Sequence, residues 1–217
     1  MFSTQILART TGALYLLTFM FSIPALALKQ PYLDGGGNVF LARLGAVSEI
    51  LLALACVGTA VFIYPIIKRH SPALSLGFLG SRILEGGTIL SGVVVLLTVI
   101  SVRQSEAADP ALTQALVSVH DWFMLVGPGF LPAVNALMFA TVLFRARLVP
   151  RWIPLVGLIG APLLAASAFS TLFGTFDQVS ALAAAGALPT AVWEFSIGVY
   201  LLVKGMPRAE AVTNPDQ

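Results

Sequence analysis

Six long apolar runs, almost free of charge, constrain this chain more than any other feature. They lie at about residues 10–28, 41–67, 75–101, 120–144, 152–173 and 179–203. A helix needs about 20 mainly apolar residues to cross the ~30 Å hydrocarbon layer. Inside that layer every backbone polar group must be satisfied within the segment. The separators carry turn chemistry: Asp34-Gly-Gly-Gly37, Lys68-Arg-His-Ser-Pro72, Ser105–Pro110, Arg145–Arg151 and Thr175–Gln178. The pattern predicts an all-α integral membrane bundle of six transmembrane helices, one domain over residues 1–206 with a short tail at 207–217. Its first partner is therefore the lipid bilayer.

Composition agrees. Only 10% of the residues are charged against 58% hydrophobic, whereas a soluble domain carries roughly 25% charged residues. Most of the outer surface must then face acyl chains. The basic residues fall one to three at a time, so no tract points to nucleic acid. Cys56 is the single cysteine, which removes disulfides and thiolate metal sites, and two histidines, His70 and His120, leave little for a metal centre. Neither a cofactor nor a metal is expected. Arg9, an apolar run and Ala25-Leu-Ala27 imitate a secretory signal with its cleavage site, but the run is long enough to span and is read as helix one.

Orientation follows from Lys and Arg in the short connections. One set holds Arg9, Lys68, Arg69, Arg145, Arg147, Arg151, Lys204 and Arg208, and the other only Lys29 and Arg103. Eight against two places both termini in the cytoplasm. Tyr64, Trp152 and Trp122 fall where an interfacial aromatic belt would lie.

Of twelve basic residues, these ten leave Arg43 and Arg82 within spans, and Glu49, Glu85 and Glu194 are the acids left there. An ionised group at the bilayer centre costs about 2.5–3.5 kcal/mol on insertion scales, so each needs a partner or water. Glu194 is ten residues from Lys204, Glu85 ten from Ser75 and Asn135 ten from Arg145, each about 15 Å deep. Arg82 and Glu85, three apart, share a helix face. Hence an inner cluster of Arg82, Glu85, Asn135 and Glu194 is expected near mid-membrane.

Glu49, Arg43, His120 and Asp121 lie at a similar outer height and form a second candidate group. Within it, Arg43 and Glu49 point about 240° apart, and His120 and Asp121 about 100° apart. Gly127-Pro-Gly129 and Pro132 should kink helix four just above Asn135. Residues 110–119 either lie in the interface or extend that helix. Gly157, Gly160 and Ala161, with Gly86 and Gly87, offer small faces for close packing. No phosphate loop, Ser-His-Asp set or His-Glu-x-x-His is present.

A series of short motifs occurs in order: Arg9-Thr-Thr-Gly12-Ala-Leu-Tyr15, Ala42-Arg-Leu-Gly45, Ser81-Arg-Ile-Leu-Glu85, His120-Asp-Trp-Phe-Met-Leu-Val-Gly127, Val149-Pro-Arg-Trp152, and Glu194 followed by Leu202-Val-Lys-Gly205. Together they resemble the bacterial membrane-protein family known as domain of unknown function 4386, from about Ala8 to Gly205. The resemblance implies a six- or seven-helix protein of the bacterial inner membrane and carries no activity with it. Phe144-Arg-Ala-Arg147 departs from the family's more usual Arg-Ser-Gly.

The residues favour a membrane protein that binds or transports a small molecule, ion or lipid. Its polar pocket would be lined by the inner cluster and open toward the outer one. An intramembrane enzyme acting on a lipid or small hydrophobic substrate is the first alternative, with Glu85 or Glu194 as acid and base and His120 assisting. A structural subunit whose ion pairs only fix packing is the second.

Overall fold

The computed structural model describes residues 3–105 and 109–206; the tail expected at 207–217 lies outside the described residues. Seven helices are formed: α1 (Thr4–Leu33), α2 (Val39–Ile67), α3 (Pro72–Arg103), α4 (Pro110–Val126), α5 (Leu131–Arg145), α6 (Trp152–Leu172) and α7 (Ala181–Val203). Among the described residues there is no strand. With α4 and α5 counted as one crossing, six helices are long and apolar enough to span a membrane.

Caps set the ends that hydropathy leaves open. The Ser3 hydroxyl accepts from the Ile6 amide at 3.2 Å, and Asn38 accepts from Phe40 at 2.7 Å. Asp109 accepts from Ala111 at 2.8 Å, with Pro110 in the first turn. A side-chain acceptor satisfies one of the orphan donors of a first turn, and proline fits there because its missing N–H is not needed. Thus α1 runs from Thr4 to Leu33, past Ala25–Ala27 without a break. It stops at a turn where Gly35 and Gly37 adopt φ of +98° and +75°, a region that side chains with a Cβ avoid.

Residues 110–119 extend the fourth crossing as the first part of α4. The expected kink is a full interruption: four residues, Gly127–Phe130, separate α4 from α5. A Cβ on Gly127 would lie 2.3 Å from Thr88 Oγ1, so only glycine lets this turn press against α3.

The helices close into a ring. Each of α1, α2 and α3 packs on the next; α3 packs on both α4 and α5; α5 meets α6, α6 meets α7, and α7 returns to α1. We call the end carrying Thr4, Ile67, Arg145 and Val203 proximal and the other distal. Gln5 donates to the Met206 carbonyl across the proximal end.

The proximal half of the ring is filled by large side chains. Phe139 stacks on Phe78 with centroids 4.7 Å apart and meets the Trp193 edge at 5.9 Å. Gly157 of α6 lies under the Trp193 ring and Gly160 against the α7 backbone, so the expected small face is used. Gly86 likewise faces α2, but Gly87 has nothing near its Cβ position and faces away. Many large apolar residues, Phe40, Leu54, Val94 and Ile159 among them, point outward, as a lipid-facing surface requires. Trp152 is exposed at the start of α6; Trp122 is exposed too, but twelve residues into α4 and close to the break at Gly127, so it does not mark the distal end.

Candidate functional site

The four inner residues are brought together. Arg82 and Glu85 lie one turn apart on α3, Asn135 comes from α5 and Glu194 from α7. Arg82 donates through Nη1 to Glu85 Oε2 at 2.9 Å and through Nη2 to Glu194 Oε1 at 2.6 Å. Asn135 Nδ2 donates to the same Glu85 oxygen at 2.6 Å, and Ser81 donates to Asn135. The guanidinium carbon sits 5.1 Å from the Tyr15 ring centroid on α1, a cation–π distance. Arg82 is 1% exposed, and Glu194, with a side chain 16% exposed, is the least enclosed of the group. Cys56 of α2 lies beside this pair at 3.8 Å from both Arg82 Nη1 and Glu85 Oε1. Arg82 thus ties α3 to α7 and Glu85 ties α3 to α5, with Tyr15 of α1 and Cys56 of α2 beside the pair.

The outer group forms with a change of members. Glu49 of α2 and His120 of α4 meet, but the residue joining them is Lys29 of α1. Its ammonium donates to Glu49 Oε1, lies 3.1 Å from His120 Nε2 and donates to Met124 Sδ at 3.3 Å. Lys29 and Glu49 are each 3% exposed. On the far side of the imidazole, His120 Nδ1 is 3.0 Å from Asp121 Oδ1. Although successive residues diverge on a helix, the Asp121 carboxylate turns back far enough to meet its neighbour.

Arg43 does not join this group. Its azimuth on α2 carries it to the surface, where it donates to Gln104 at 3.3 Å.

The charge pattern alone places Lys29 in a loop, whereas it lies within α1. The signal that would have found it is local. Gly45 of α2 sits with its Cβ position 3.1 Å from Lys29 Cβ, so α1 and α2 approach closely there and turn the lysine along α2 toward Glu49. Arg103, the other base of the sparse set, is also engaged. It donates to the Tyr32 and Leu33 carbonyls and lies over the Tyr32 ring, tying the end of α3 to that of α1.

A cavity of about 680 Å³ occupies the distal half of the ring, between α1, α2, α4 and the α6–α7 connection. Lys29, Glu49, His120 and Asp121 are in its wall, among apolar residues such as Leu26, Leu52, Leu125 and Phe176. None of Arg82, Glu85, Asn135 or Glu194 borders it. Its size falls within the range of about 300–1,000 Å³ typical of small-molecule sites. Among the described residues no three His, Cys, Asp or Glu side chains converge as a metal set.

A ring of six apolar crossings, with charged groups turned inward in two layers, defines a polytopic α-helical membrane protein. Residues 10–205 match the family model described as Domain of unknown function (DUF4386), and the chain belongs to that family. No curated protein and no solved structure matches it.

Proposed function

We propose that this protein binds a small amphiphilic molecule in its distal cavity, with the distal end outside the cell and both termini in the cytoplasm of a bacterium. One observation carries the reading: a cavity of about 680 Å³ has apolar walls interrupted by a buried ion pair, Lys29–Glu49. Cavities that hold small ligands combine an apolar lining with a few convergent polar groups. The assignment of sides rests on the basic residues. Lys29 is enclosed in the bundle and Arg103 bonds to α1, so neither is a free loop charge, and the bias toward a cytoplasmic proximal end sharpens.

In this reading Arg82, Glu85, Asn135 and Glu194 act as a clasp beneath the site. Buried ionic groups of this kind often fix how helices pack. The string Asp121–His120–Lys29 favours a second reading, an intramembrane enzyme with His120 as base. His120 has both nitrogens engaged, however, and would have to release Lys29 before taking a proton.

Native mass spectrometry of protein released from its own membrane tests the binding reading. The wild type should carry a small-molecule adduct, and Ser22→Phe, which fills the cavity from the α1 wall, should lose it. Identical adduct spectra for the two proteins overturn the proposal. Turnover of a lipid by the wild type, abolished in His120→Gln, would favour the enzyme instead.

A further inference from the structure

The hydrogen bonds at the cavity wall select the charge of its ligand. An ammonium has three protons to donate and no acceptor. Those of Lys29 face three partners: Glu49 Oε1, His120 Nε2 at 3.1 Å and Met124 Sδ at 3.3 Å. The lysine therefore has no donor left for an incoming carboxylate or phosphate.

Glu49 is in the opposite condition. Its Oε1 accepts from Lys29, but Oε2 is buried with no hydrogen-bond partner among the described residues. A buried carboxylate oxygen without a donor is costly, and supplying one is favourable. The rest of the wall has the same bias. Asp34, Asp121 and Asp177 join Glu49 there, and Lys29 is the lone Lys or Arg of the lining.

We infer that the cavity takes a cationic amphiphile, a protonated amine carried on an apolar body. The inference rests on the binding reading given above and specifies its ligand. The ammonium donates to Glu49 Oε2, an enclosed oxygen that the wall residue Glu49 presents to the cavity by rotating its carboxylate. The apolar body lies along Leu26, Leu52 and Phe176, with the Trp122 ring also in the lining to face the cation. An anionic amphiphile of the same length would meet three aspartates, with the one ammonium of the lining already engaged.

The test uses the full chain in zwitterionic nanodiscs at low salt, with octylamine, octanol and octanoate as probes and empty nanodiscs subtracted. A hydrogen bond to a charged group contributes enough to change affinity by about 10- to 100-fold. Octylamine should accordingly bind at least about tenfold more tightly than octanoate, with octanol between them. Glu49→Gln should weaken octylamine by about tenfold or more. That substitution also strips Lys29 of its charge partner, so a second variant avoids the buried pair. Asp34→Asn with Asp177→Asn, both at the exposed rim, should weaken octylamine by about two- to fivefold at low salt and leave octanol unchanged. Octanoate binding as tightly as octylamine overturns the cationic assignment and leaves the amphiphile reading standing. Failure of all three probes to bind overturns both.

Discussion

The proximal and distal layers of this ring each bury a base against an acid, yet they differ in what surrounds the pair. Arg82 is packed between Tyr15 and Phe78, and its planar fork reaches two carboxylates from two helices. A guanidinium suits such bridging because its donors are fixed in one plane. Lys29 instead faces one carboxylate, an imidazole and a thioether beside open space. The difference teaches that a buried charge in a membrane bundle does not by itself mark a binding site. What distinguishes the distal layer is a cavity next to an acceptor that the protein leaves unfilled.

The comparison can be broken first at Arg82. Arg82→Leu leaves Glu85 enclosed with no cation, and removing one partner of a buried ion pair costs about 3–5 kcal/mol. Thermal unfolding in micelles should show that loss, and Arg82→Leu combined with Glu85→Leu should recover part of it. A single Arg82→Leu protein as stable as the wild type would show that the clasp contributes nothing to the packing.

Lys29→Met makes the matching cut in the distal layer. Glu49 again loses its cation, but it stands in the wall of a cavity that water can enter. The expected cost is nearer the 1–3 kcal/mol of an imperfectly satisfied buried polar group. If the two substitutions lower the unfolding temperature equally, the cavity gives Glu49 no relief, and the contrast between the layers fails.

A gentler probe adds volume rather than removing charge. Gly157→Ala places a methyl 2.7 Å from the Trp193 ring in the filled half. Overpacking of that kind costs about 1–3 kcal/mol. Ser22→Phe points its added bulk into the distal cavity and should stay within about 0.5 kcal/mol of wild type. Parallel melting curves of the two variants decide whether one half of the ring is solid and the other hollow.

The proximal layer was legible in the sequence because hydrocarbon leaves charged groups few options. Counting about 1.5 Å per residue from the basic ends put Glu85, Asn135 and Glu194 at one depth, and the three-residue step from Arg82 to Glu85 supplied the pair. The distal layer was half legible. Height alone grouped Arg43 with Glu49, although the same helical arithmetic already turned them apart, and the structure follows the azimuth. Lys29 escaped because it lies where the apolar run fades and so counted as loop. The helix instead runs on to Leu33, four residues beyond the lysine, and is ended by the glycine turn after Asp34. The break between α4 and α5 was visible as Gly127-Pro-Gly129, but its depth depends on how closely Thr88 of α3 approaches, a tertiary fact that no local pattern carries.

The smallest expected effect lies at Asp121, and it separates a positioned imidazole from a merely buried one. The side chain of Asp121 is 55% exposed, so Asp121→Ala should change stability by no more than about 0.5 kcal/mol. Its carboxylate accepts from His120 Nδ1, which leaves Nε2 as the acceptor for Lys29. Without that carboxylate the Nδ1 proton loses its acceptor, and the Lys29 ammonium, which keeps Glu49 and Met124 as acceptors, can give up Nε2. Nitrogen chemical shifts of the imidazole should show one tautomer, protonated at Nδ1, in the wild type and a mixture in Asp121→Ala. If the variant keeps the single tautomer, Lys29 alone orders His120, and Asp121 belongs to the acidic rim of the cavity rather than to the string that reaches Glu49.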